Sequence, residues 1–144
     1  MSPNSRPSVL AVTLLIVSVL PFGAAAVRNQ QADPKTVVSA EEIAALMEEG
    51  ETIYSRDCAT CHGADGSEGT APALSGSLGL GDKDRVVRQI LTGVPAKGMP
   101  PFAPNLSDRR VAAVATFVRG AWGNAFGPVS EADVKKLRDE IIKR

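Results

Sequence analysis

The 144-residue chain has one histidine and two cysteines, and all three lie within Cys58-Ala59-Thr60-Cys61-His62. That scarcity excludes a good deal. A structural zinc site wants four Cys, His or acidic ligands, and no second Cys or His cluster exists to complete one. A thioredoxin-like Cys pair needs a βαβ setting, and the chain carries no strong strand signal. A plain disulfide leaves the adjacent histidine unexplained. Aromatics are only 4% of residues, so a domain of this length has a limited core of its own, which a bound apolar cofactor would complete. There is also no excess of either charge: 16 Lys and Arg face 16 Asp and Glu, which excludes the basic surplus of a nucleic-acid binder. The length fits one domain.

Residues 1–26 read as a signal peptide. Arg6 sits in a short polar region, Val9–Phe22 is apolar, and Ala24-Ala25-Ala26 offers a small-residue cleavage site. The alternative is an uncleaved anchor, because the uncharged run Val9–Val27 has 19 residues. Either way the folded part is expected outside the cytoplasm, in the periplasm, with membrane attachment only if the segment is retained. Residues 27–38 read as a polar linker containing Pro34. Glu41, Glu42, Glu48, Glu49 and Glu51, like the basic residues of the C-terminus, read as solvated helix faces.

The pattern beyond residue 38 is all-α. Ser39-Ala40-Glu41-Glu42 predicts a helix start with a capping box, Glu42 reaching back to Ser39. Gly50 interrupts this helix, so it marks either a break or a close crossing. Asp82 predicts the cap of a helix over Lys83–Thr92, with Gly93 as its stop. Ser107 predicts the cap of a helix from Asp108 to about Ala121, and Ser130 that of a last helix over Glu131–Ile142. Between these lie a long Gly- and Ser-rich loop after His62 and the stretch VPAKGMPPFAPN, whose four prolines exclude a helix.

Cys-x-x-Cys-His is the attachment signature of c-type haem. Positions i, i+3 and i+4 share one face of a helical turn. Cys58 and Cys61 can add to two vinyl groups, and His62 can offer an imidazole nitrogen to iron. With no other histidine, the second axial ligand is sought among the methionines. Met1 goes with the signal, and Met47 reads as core packing. Met99, 37 residues after His62, sits in Gly98-Met99-Pro100-Pro101-Phe102, where Gly98 permits a tight approach and the prolines stiffen the backbone. Lys97 is a weaker substitute ligand.

At this point the sequence resembles a class I c-type cytochrome. The resemblance covers about Ser39 to Trp122 and rests on CATCH (58–62), APAL (71–74), GMPPF (98–102) and LSDRRVAAVATFVRGAWGN (106–124). It implies a cytochrome c fold: three to four short helices with long loops wrapped around one covalently attached haem c, plus an extra C-terminal helix. The domain would span 39–122, with a C-terminal extension at 123–144. The resemblance further implies that Gly50 and Tyr54 face the later helix, with Val114 and Phe117 as opposing contacts. It implies that the Pro72 carbonyl accepts from the ring N–H of His62, and that Leu74, Leu80, Ile90 and Phe102 wall the haem. The implied function is one-electron transfer between redox partner proteins, as a free carrier or as the cytochrome subunit of a larger dehydrogenase or oxidase. Catalysis or gas binding at the haem is the less favoured class. Whether the terminal helix packs on the domain or on a partner stays open.

Overall fold

Each long helix begins where a side-chain oxygen can take up a free backbone N–H. The computed structural model describes residues 38–67 and 69–143, so the signal segment, and the linker up to residue 37, lie outside the described residues. Helix α1 (Ala40–Asp57) follows Ser39, whose Oγ accepts from the Glu42 N–H at 3.1 Å. The expected return bond from Glu42 is replaced by a stronger, charge-assisted one: its carboxylate accepts from Arg109 at 2.7 Å. After Cys58 comes the single turn α2 (Ala59–His62). Helix α3 (Lys83–Thr92) is capped by Asp82 and stops at Gly93. Helix α4 (Asp108–Gly120) is capped by Ser107 and ends one residue short of the expected Ala121. Helix α5 (Glu131–Ile142) has a complete capping box between Ser130 and Asp133.

Among the described residues there is no strand, only an isolated antiparallel bridge between Val94 and Met99. The proline-rich stretch holds no α-helix, but Pro95–Lys97 makes a short 3₁₀ turn. Proline is tolerated at its start because an N–H there has no helical partner to lose.

The core is organised by α4, which is buried without interruption from Val111 to Arg119. Its buried run is apolar except for Thr116 and Arg119, and α1, α3 and α5 all pack on this helix. Helix α1 runs unbroken through Gly50, so the glycine serves a close crossing. A Cβ there would stand 2.2 Å from the Ala113 carbonyl oxygen and 2.7 Å from Phe117 Cβ. The opposing residues are therefore Ala113 and Phe117. Val114, the neighbour of Ala113, lines with Tyr54 the cavity described below.

The terminal helix packs on the domain itself. Val134 and Leu137 are buried. Lys83 Nζ pairs with Asp133 at 2.7 Å, and Arg138 pairs with Asp108 at 2.6 Å. Arg138 also donates to the carbonyls of Ala103 and Leu106, at 2.8 and 2.7 Å, tying the end of the proline-rich loop to α5.

Candidate functional site

A cavity of about 680 Å³ lies between the end of α1, the turn α2, the long loop, α3 and the proline-rich segment. Cys58, Cys61, His62, Pro72, Leu74, Leu80, Ile90, Lys97, Met99 and Phe102 all line it. Met47 does not; its sulfur packs near Gly120, 3.4 Å from where a Cβ would stand.

The chain carries its chemistry to this cavity through local constraints. Cys58 is the joint between α1 and α2, and the His62 N–H donates to the Cys58 carbonyl at 3.0 Å. Both thiols are free. Burial, and then the charge of Asp57, pushes the Cys58 thiol up to about 11. His62 Nδ1 lies 3.0 Å from the Pro72 carbonyl oxygen. A carbonyl only accepts, so in this contact Nδ1 carries a proton, and Nε2 is the ring nitrogen left for a metal. Tyr54 donates to the Gly63 carbonyl at 2.6 Å, pinning the chain as it leaves His62. Burial, then the charges of Cys58 and Asp65, pushes the Tyr54 phenol up to about 12, so it remains a donor at neutral pH.

Met99 is fixed through its backbone. Its carbonyl accepts from the Val94 N–H at 2.9 Å, and its N–H donates to the Val94 carbonyl at 3.3 Å. The loop closes because Gly98 adopts φ 78°, ψ 3°, a left-handed conformation that side chains disfavour. A Cβ at Gly98 would meet no protein atom within 4 Å, so within the polypeptide its role is conformational.

Residues not singled out from the sequence hold the cavity wall. Asn124 is buried; its amide donates to Leu74 and Val118 carbonyls at 3.1 and 2.9 Å, and its oxygen accepts from the Gly76 N–H at 3.1 Å. Arg119, only 4% exposed, donates to the carbonyls of Leu80, Gly81, Phe126 and Gly127. Trp122 has φ 53°, rare for a bulky residue. Its indole meets Tyr54 and Phe117 edge-on, at centroid distances of 4.8 and 5.2 Å. No periodicity announces these roles. The nearest signal was an arginine ending a long apolar stripe, which has to find acceptors if it is buried.

The donor set suits a haem. Among the described residues no group of three His, Cys, Asp or Glu side chains could hold a metal ion by itself. Two thiols, an imidazole with its outer nitrogen occupied and a thioether instead border one largely apolar space, of a size usual for bound organic ligands. Fold and cavity together have the features of a c-type cytochrome domain.

Comparison with known proteins gives the family. The family described as "Cytochrome C oxidase, cbb3-type, subunit III" matches residues 45–118, just over half the chain, and the chain belongs to it. It is similar to the gluconate 2-dehydrogenase cytochrome c subunit of Pantoea cypripedii, 36% identical over 110 residues, covering 65% of this chain and 25% of that protein. The alcohol dehydrogenase (quinone) cytochrome c subunit of Gluconacetobacter polyoxogenes is 37% identical over 105 residues, 62% of this chain and 22% of that one. The Cbb3-type cytochrome c oxidase subunit CcoP of Cereibacter sphaeroides is 36% identical over 84 residues, 56% of this chain and 29% of that one. The chain thus spans about a quarter of the length of these curated relatives. The matched residues are thus a c-type cytochrome domain.

Proposed function

We propose that Cys58 and Cys61 would hold one haem c through thioether bonds, that His62 and Met99 would ligate its iron, and that the chain relays single electrons between redox proteins without catalysing a reaction of its own. The observation that carries this reading is the convergence of all four side chains on one cavity, with His62 Nδ1 already engaged by Pro72. When bound, the haem supplies a one-electron iron couple whose potential a methionine opposite histidine raises. The protein's part is to hold that couple still. The Pro72 bond fixes the imidazole plane, the Val94–Met99 bridge holds the thioether's backbone, and Leu74, Leu80, Ile90 and Phe102 keep water from the ring.

The test is the absorption spectrum of the purified holoprotein. A near-infrared charge-transfer band from thioether to ferric iron, with no ready carbon monoxide binding, is the expected result. A high-spin spectrum that takes up carbon monoxide would overturn the ligand assignment and favour a haem enzyme or gas sensor.

The printed names of the relatives support a second reading, in which the chain is a permanent cytochrome subunit of a dehydrogenase or oxidase. Stable co-purification with a larger chain distinguishes it from a free carrier. The apolar segment before residue 27 supports action in the periplasm. Among the described residues no helix is long and apolar enough to cross a membrane. Cell fractionation, with mass spectrometry of the mature N-terminus, tests both the location and the cleavage.

A further inference from the structure

The cavity wall is mostly apolar, yet Arg85 contributes to it. Its placement is built. Asp82 caps α3 by accepting the Arg85 N–H at 3.0 Å, which sets the start of the side chain. The guanidinium Nη2 donates to the Gly79 carbonyl. Gly79 lies in the 3₁₀ turn Leu78–Gly81, and a Cβ there would stand 2.6 Å from Arg85 Nη2. The bare backbone at Gly79 is therefore the seat on which the guanidinium rests. Among the described residues no carboxylate forms an ion pair with Arg85. One of its five donors reaches Gly79, and the planar fork left over matches a carboxylate. Gln89, one turn further along α3, and Lys97 line the same cavity and add polar donors.

We propose that Arg85, seated on Gly79, binds a propionate carboxylate of the haem and so sets the orientation of the ring edge and the charge felt by the iron. This rests on the haem reading above. Haem carries two carboxylates, and the thiols tether the ring only by its vinyl substituents. Arg85, exposed at the cavity wall and donating to one backbone carbonyl, supplies the complementary cation. Arg85 is a positioning residue: it acts on the iron through the propionate.

The test uses holoprotein carrying haem with ¹³C-labelled propionates, and its readouts are the labelled carboxylate stretches and the redox midpoint. Arg85→Gln is expected to shift the labelled bands. It should also move the Fe(II)/Fe(III) ratio about three- to tenfold toward Fe(III) at fixed potential, because a positive charge near the iron has been lost. Arg85→Lys should recover much of the midpoint but not the band pattern of a bidentate partner. Gly79→Ala displaces only the tip of a flexible side chain, so it should move both readouts in the direction of Arg85→Gln while the Met99 charge-transfer band stays. Unchanged bands in both Arg85→Gln and Gly79→Ala would overturn the proposal. Bands shifted in Arg85→Gln alone would overturn the Gly79 seat. Absence of covalent haem from the unmodified protein would instead overturn the haem reading, and is seen separately as haem lost on a denaturing gel.

Discussion

The two sides of α4 are built on different principles. Toward α1 and α5 the helix meets other protein: Ala113 accepts the backbone of Gly50, Phe117 meets Tyr54 and Trp122, and Thr116 exchanges hydrogen bonds with Val129. Toward the long loops, Val114 and Val118 face open space, and the residues across it, Leu74, Ile90, Met99 and Phe102, are only half-buried. The first side is complete as polypeptide. The second encloses a volume that its own side chains leave unfilled. With haem bound as proposed, the loop half would gain stability from a ligand that binds the folded state alone, whereas the helical half draws it from packing.

This difference can be broken from either side. The largest effect is expected from Cys58→Ala with Cys61→Ala. That variant should carry no haem through a denaturing gel, and hydrogen exchange should show residues 63–105 losing protection before α1 and α4 do. Equal loss throughout would remove the distinction between the two halves.

Met99→Ala comes next. Covalent haem should persist while the iron opens to carbon monoxide. The midpoint should fall by about 120 mV or more, a hundredfold in the ferrous/ferric ratio at 59 mV per tenfold. An unchanged midpoint would count against Met99 as a ligand.

Gly50→Ala attacks the helical half. A methyl group at 2.2 Å from a backbone oxygen has no soft neighbour to displace. We expect a loss of about 3 kcal/mol in denaturant unfolding of the holoprotein, with the haem spectrum unchanged. Asn124→Ala acts at the junction of the halves by freeing the Leu74 and Val118 carbonyls and the Gly76 N–H. A loss of about 2 kcal/mol is expected, with faster exchange at residues 74–76.

The smallest effect concerns pH. Burial tends to raise the Asp133 carboxyl, but the Lys83 bond, the Ser130 bonds and the Lys83 charge outweigh it and hold the carboxyl below its ordinary range. A group depressed on folding contributes stability that is present above its unfolded pKa and lost as pH falls through its folded pKa. Acid titration should therefore show a modest loss of stability in the low-pH carboxylate range. Asp133→Asn should flatten that part of the curve.

The helix starts were legible because capping is local: Ser39, Asp82, Ser107 and Ser130 act within three residues of themselves. The cavity-lining set was legible for a related reason, since Cys58, Cys61 and His62 are bound to one helical turn by spacing alone. What stayed hidden was long-range. Glu42 had an apparent local partner but found Arg109, 67 residues away. Ala113 and Val114 are neighbours on one helix, and only the crossing angle decides which of them comes nearest to Gly50. Asn124 and Arg119 look like ordinary surface polar residues until the loops they hold have folded over them.

The sequence by itself determined an all-helical chain and where its helices begin. It also gathered both thiols and the imidazole into one short segment, because caps, turns and a five-residue motif depend on neighbours along the backbone. Only the tertiary structure decided that Met99 and Pro72 come to the same cavity as His62, that α5 belongs to the domain, and that Arg119, Asn124 and Arg85 shape its walls. Those outcomes depend on which surfaces lie against each other, and packing across many residues of separation is not written in any local stretch of the chain.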